Sequence, residues 1–150
     1  MASSKVKEED VVRQLASEIR ILEGSIGVLQ SRLDIVRAAI NEVTLAYNTL
    51  EGMKNLQNGD ETLVPVGAGS YIRMQVADSK KLVMGIGAGV AVEKDVDGSV
   101  EELKSRLQDL DKARTSIQQQ LDQTGTRYQQ DREALEDLLR QQNQPSRTAK

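Results

Sequence analysis

Alternate steps of three and four from Val12 land on Leu15, Ile19, Leu22, Ile26, Leu29, Leu33, Val36, Ile40, Val43, Tyr47 and Leu50, and every position is apolar. A 3.5-residue repeat is the mark of a coiled-coil seam rather than of a globular helix stripe. It predicts a helix whose seam runs roughly 60 Å at about 1.5 Å per residue. Asn58-Gly59 is the expected stop, because both residues tolerate the left-handed conformation at a helix C-terminus. A second helix is expected from Ser99, where Ser99 and Glu102 have capping-box spacing. Its seam reads Val100, Leu103, Leu107, Leu110, Arg114, Ile117, Leu121, Thr124, Tyr128, Asp131, Leu135 and Leu138, apolar at nine of twelve positions and weaker toward its far end.

Val12 to Leu50 and Val100 to Leu138 span the same number of positions. That equality favours an antiparallel hairpin within one chain over pairing with other chains. Leu50 then lies beside Val100 and Val12 beside Leu138, with both termini together and far from the central segment. Gly24, Gly27 and Gly125 fall at nearly one level, each costing a helix interior up to about 1 kcal/mol relative to Ala. The distal third of the hairpin is therefore either loose by design or a long rod with tolerated defects. The sequence leaves both open.

The pattern changes over residues 61–94, where Val, Ile, Thr, Tyr and Gly replace the helix formers. In YIRMQV, Ile72, Met74 and Val76 alternate with Tyr71, Arg73 and Gln75, the period of a strand. The stretch VPVGAGSYI (64–72) recurs as MGIGAGVAV (84–92), twenty positions on. Each copy reads as strand, Gly-Ala-Gly turn, strand, and ADSK (77–80) joins the two hairpins. A dinucleotide loop needs G-x-G-x-x-G between a strand and a helix, whereas Val90, Ala91 and Val92 continue as a strand. The Walker pattern G-x-x-x-x-G-K-[ST] does not occur. Isolated hairpins are marginal in water, and free edges call for partners. The expectation is that several chains pool their hairpins into a shared barrel. Leu63, Val64, Val66, Ile72, Met74, Val76, Met84, Ile86, Val90 and Val92 would carry that oligomerisation.

The fold class is thus α+β: a long antiparallel coiled-coil helical hairpin with two central β-hairpins that assemble into an oligomeric β-barrel. The expected divisions are 1–58 for the first helix, 59–98 for the double hairpin, 99–144 for the second helix and 145–150 for a flexible tail. Composition narrows the function. The chain has no Phe, Trp, Cys or His. Leu, Ile and Val must carry the burial, no disulfide or thiol chemistry is available, and the commonest metal ligand and general base is missing. Twenty basic and 23 acidic residues are interspersed for a net charge of −3, so no basic field invites nucleic acid. The opening MASSKVKEEDVV lacks the apolar core of a signal peptide, and the longest apolar run is about half of the roughly 20 residues a membrane span needs. A cytoplasmic protein without membrane association is expected.

The stretch ETLVPVGAGSYIRMQVAD, the second hairpin MGIGAGVAVEKD and the two flanking coiled-coil helices together resemble the alpha subunit of archaeal prefoldin over nearly the whole chain. Two hairpins rather than one resemble the alpha class and not the beta class. The resemblance implies an ATP-independent holdase co-chaperone: a hetero-hexamer of two alpha and four beta-type subunits on a double β-barrel base. Its coiled-coil tips would hold unfolded proteins and pass them to a group II chaperonin. No cofactor is implied. A tip that holds non-native chains needs apolar groups on a deformable support, and Val11, Val12, Leu15, Ile19, Leu135, Leu138 and Leu139 stand at the expected tip; the alternative is that they merely finish the coiled coil, the reading favoured for Leu15 and Ile19. Each would contribute at most roughly 1.5–3 kcal/mol on burial, so capture would rest on several weak contacts.

No catalytic constellation is legible. Glu8-Glu9 and Glu101-Glu102 fall in charged helical stretches, whereas acid–base catalysis needs groups converging in a pocket. Glu8, Glu9 and Asp10 lack the further ligands that would make them a metal site. The rival reading is a structural coiled-coil scaffold or tether.

Overall fold

A computed structural model describes residues 2–143. The tail expected at 145–150 lies outside the described residues. Two helices, α1 (Ala2–Met53) and α2 (Val96–Asn143), enclose four strands: β1 (Glu61–Gly67), β2 (Ser70–Gln75), β3 (Lys81–Gly87) and β4 (Val90–Asp95). The chain divides between residues 36 and 37 and between 112 and 113 into two units.

All twelve seam positions of α1 are buried or half-buried. In the unit formed by residues 37–112, Val43 and Leu50 of α1 pack with Val96, Val100 and Leu103 of α2. This is the level at which equal seam lengths place Leu50 against Val100. Tyr47, Met53, Leu107 and Leu110 extend that core, and Leu82 and Met84 close it from β3. On α2 the seam deviates at one place: Ala113 is half-buried and Arg114 exposed. A small apolar side chain fits the seam where a guanidinium would lose its hydration.

The helix limits differ from those expected. The first helix ends at Met53, five residues before Asn58. Asn58-Gly59 instead shapes the entry to β1. The Gly59 N–H donates to the Val76 carbonyl at 2.7 Å, and the Asn58 side-chain oxygen accepts from the Ser79 N–H at 2.8 Å. The second helix starts at Val96, not at Ser99. Asp95 is its cap, accepting the Gly98 N–H at 2.6 Å, the N-cap to N3 bond. Ser99 sits one turn inside the helix, 1% exposed.

The hairpins form two separate two-stranded sheets. In each, Ala-Gly occupies a two-residue turn with positive φ at both positions: 49° and 71° at Ala68 and Gly69, 50° and 75° at Ala88 and Gly89. These are the signs of a type I′ turn, whose twist suits a hairpin. Each register slips by one residue just before the turn, between Pro65 and Gly67 and between Gly85 and Gly87. The slip is a bulge that carries Val66 and Ile86 out of the alternation.

Candidate functional site

The hairpin surface belongs to the unit of residues 37–112. Register pairs Thr62 with Met74 and Val64 with Ile72, so these four share a face; Leu63 with Arg73 and Pro65 with Tyr71 take the other. Neither face is covered: Leu63, Val64, Val66, Tyr71, Ile72 and Met74 are all exposed, while Val76 is half-buried. The second hairpin is one-sided. Met84 pairs with Val92 and Leu82 with Lys94, and both Leu82 and Met84 lie against the helical core. Val83, Ile86 and Val90 remain exposed. Met84 thus serves its own chain's core, and Val92 is half-buried on the same face. Sequence reasoning missed Tyr71 and Val83. The signal was present in the alternation, because Val83 must oppose whichever face Leu82 and Met84 take.

A groove of about 490 Å³ runs between Leu63, Val64 and Pro65 of the first hairpin, Leu82 and Val83 of the second, and Met53 of α1. Its surroundings are held by exposed ion pairs. Lys81 meets Glu93 at 2.9 Å, and that hydrogen bond raises the lysine's pKa. Lys94 meets Glu102 at 2.5 Å and ties β4 to α2, which holds the Glu102 carboxyl below its ordinary value.

The helix ends belong to the other unit. Val12, Leu15, Ile19, Leu135 and Leu138 are half-buried, while Val11 and Leu139 are exposed. Leu29 and Leu33 in the same unit are buried. From Ile26 back to Val12 the α1 seam is half-buried throughout, as Val36 is on the other side of Leu33. Polar groups replace apolar ones at the intermediate level. Asp131 occupies a seam position at 7% exposure. Arg127 bonds it at 3.2 Å and reaches Glu18 on α1 at 3.4 Å. The bond to Asp131, then the charge beside it and that of Glu18, raise the arginine's pKa. The Tyr128 hydroxyl donates to Glu23 at 3.0 Å, and Arg132 lies 5.9 Å from the centre of the Tyr128 ring. A polar residue in a seam fixes register at a cost in stability.

Among the described residues, no group of three acidic side chains stands close enough to hold a metal. No described helix is long and apolar enough to cross a membrane. What the two surfaces offer is apolar contact: a broad one on the hairpins, and a partly covered one along the helix ends.

The family model described as Prefoldin subunit matches residues 22–141. The chain is 42% identical over 123 residues to the prefoldin subunit alpha of Methanopyrus kandleri, covering 81% of this chain and 78% of that one. It is 32% identical over 145 residues to the prefoldin subunit alpha of Methanosarcina barkeri, covering 95% and 97%. A solved filamentous PFD from Methanocaldococcus jannaschii superposes with a TM-score of 0.48 at 22% identity, over 81% of this chain and 94% of that one.

Proposed function

The chain belongs to the prefoldin family, and from that premise we propose that it is the alpha-type subunit of an ATP-independent holdase. It assembles through its hairpins with beta-type subunits, two alpha to four beta. It captures unfolded proteins at its helix ends and passes them to a group II chaperonin. The observation that carries the capture step is the apolar surface left in water at the helix ends. Val12, Leu15, Ile19, Leu135 and Leu138 keep part of their apolar surface in water, with Val11 and Leu139 exposed beside them. Capture through several such contacts is broad in specificity and reversible, since each contributes at most roughly 1.5–3 kcal/mol. Assembly is supported by the first hairpin, whose apolar side chains on both faces find no cover in this chain. Large exposed apolar patches mark interaction surfaces.

The test begins with the native mass of the chain alone and mixed with a beta-type subunit. Light scattering of a denatured model protein then follows, with and without the assembled complex. Deleting residues 1–18 and 133–150 is expected to leave the oligomer intact and abolish suppression of aggregation. A correctly assembled full-length complex that suppresses nothing would make the chain a scaffold or tether instead.

A further inference from the structure

Asn58-Gly59 carries a chemistry that neither assembly nor capture uses. The asparagines are Asn41, Asn48, Asn55, Asn58 and Asn143, and Asn58 alone precedes a glycine. Both Asn58 and Gly59 are exposed, and a Cβ built at Gly59 would meet nothing within 4 Å. Without a Cβ on Gly59, its backbone nitrogen has an unhindered approach to the Asn58 carboxamide carbon. Yet the fold holds both reactants. The Gly59 N–H donates to the Val76 carbonyl at 2.7 Å, and the Asn58 side-chain oxygen accepts the Ser79 N–H at 2.8 Å. Asp60 closes the loop from its other side. Its carboxylate accepts the Gln57 N–H at 2.7 Å, and its carbonyl accepts the Val76 N–H at 2.9 Å. Val76 and Ser79 belong to the one segment that leaves β2. When residues 76–79 peel away from 58–60, nucleophile and electrophile are freed by the same motion.

We propose that Asn58 is a deamidation site gated by this loop, closed while the first hairpin is docked and open when its exit strand lifts. In the open loop the Gly59 nitrogen attacks the Asn58 side-chain carbonyl carbon. The new N–C bond closes a five-membered succinimide, and the carbon–Nδ2 bond breaks. Nδ2 leaves as ammonia, taking up the proton that the Gly59 nitrogen gives up. Water then opens the ring at either carbonyl, which yields aspartate or isoaspartate at position 58. In the closed loop neither partner is available. The Val76 carbonyl holds the Gly59 proton, and the Ser79 bond ties the carboxamide across the loop, away from the swing that the attack needs. The two products differ in their effect. Aspartate keeps an oxygen for the Ser79 N–H and turns that contact into a charge-assisted bond. Isoaspartate runs the main chain through the former side chain and lengthens it by one methylene, so the Ser79 and Val76 bonds no longer form together. Opening of the loop is thereby made permanent at the entry to β1.

The test incubates the full-length chain, folded and in urea, at mildly alkaline pH and follows Asn58 by peptide mapping and mass spectrometry. In urea, Asn58 is expected to convert well ahead of Asn41, Asn48 and Asn55. In the folded protein the conversion is expected to slow by the same factor that protects the Gly59 amide from hydrogen exchange, because both reactions need that N–H released. No conversion in urea overturns the site. Equal rates in the folded and unfolded chain overturn the gate, as does a slowing that departs from the exchange protection by more than about tenfold. Asp60→Ala removes the bond to the Gln57 N–H and is expected to speed Gly59 exchange and Asn58 conversion by the same factor. A change in one without the other overturns the gate, and a variant that fails to fold must convert at the urea rate. The two products are then separated by chromatography. The aspartyl form is expected to keep Gly59 protection and the isoaspartyl form to lose it; equal protection in both overturns the assigned effect of the product.

Discussion

Ser99→Ala is expected to stabilise the protein, against what its sequence context implies. As an N-cap, Ser99 would cost about 0.5–2 kcal/mol on replacement by Ala. The structure reverses the sign. Ser99 lies one turn inside α2 at 1% exposure, and its Oγ has no hydrogen-bond partner among the described residues. An unsatisfied buried hydroxyl carries a desolvation penalty of about 1–3 kcal/mol. Ala also gains several tenths of a kcal/mol in helix propensity. Loss of one packed atom offsets about half a kcal/mol. The net is a gain of about 1–2 kcal/mol, or roughly 2–8 °C in melting temperature for a domain of this size. Asp95→Ala is the counterpart. It removes the bond to the Gly98 N–H and is expected to cost about 1 kcal/mol. Differential scanning calorimetry of the assembled protein measures both. A lower melting temperature for Ser99→Ala, or an unchanged one for Asp95→Ala, would refute the assignment of the cap. Gly98→Ala adds a third point. Its Cβ would stand 2.8 Å from an Asp95 carboxylate oxygen, so the propensity gain of about 1 kcal/mol is cancelled by a displaced cap.

Other outcomes follow from the same geometry. Asp131→Leu, which replaces a buried charge by a seam residue, is expected to raise amide protection over residues 15–22 by at least about 1 kcal/mol; no gain in hydrogen exchange would refute it. Equal protection at Ile19 and Ile40 would refute a looser seam at the helix ends. The Lys94–Glu102 contact depresses the glutamate pKa, so its stabilisation is complete above the ordinary value of 4.5 and is lost as pH falls through the lowered one. The Lys94 amide resonance should therefore shift in acid below pH about 4.5, and Glu102→Gln should diminish that step. Ala88 holds a φ of 50°, which costs an L-residue roughly 1–2 kcal/mol. Ala88→Gly is expected to assemble normally and Ala88→Val to lose assembly, as native mass will report.

Much of this architecture is written in periodicity. The 3.5-residue repeat placed all twelve seam residues of α1 correctly, because burial in a two-helix seam depends on little beyond spacing. The duplicated Gly-Ala-Gly placed both turns, because few residues accept two consecutive positive φ angles. Where elements end was less legible. Ser99 and Asn58-Gly59 have the chemistry of helix ends, yet Asp95 caps α2 and α1 stops at Met53. Several residues near each boundary could serve, and contacts made elsewhere in the unit choose among them.

The candidate surfaces divide in the same way. Sequence alone set which residues share a strand face and which share a seam, since those follow from the strand pleat and the helix repeat. It could not say that Leu82 and Met84 would lie on the helical core while Val64 and Ile72 stayed uncovered, although the two hairpins are near copies. Nor could it seat Asp131 in contact with Arg127. Those outcomes depend on which surface meets which across the fold. Periodicity is local, whereas burial is decided by whatever arrives from a distant part of the chain.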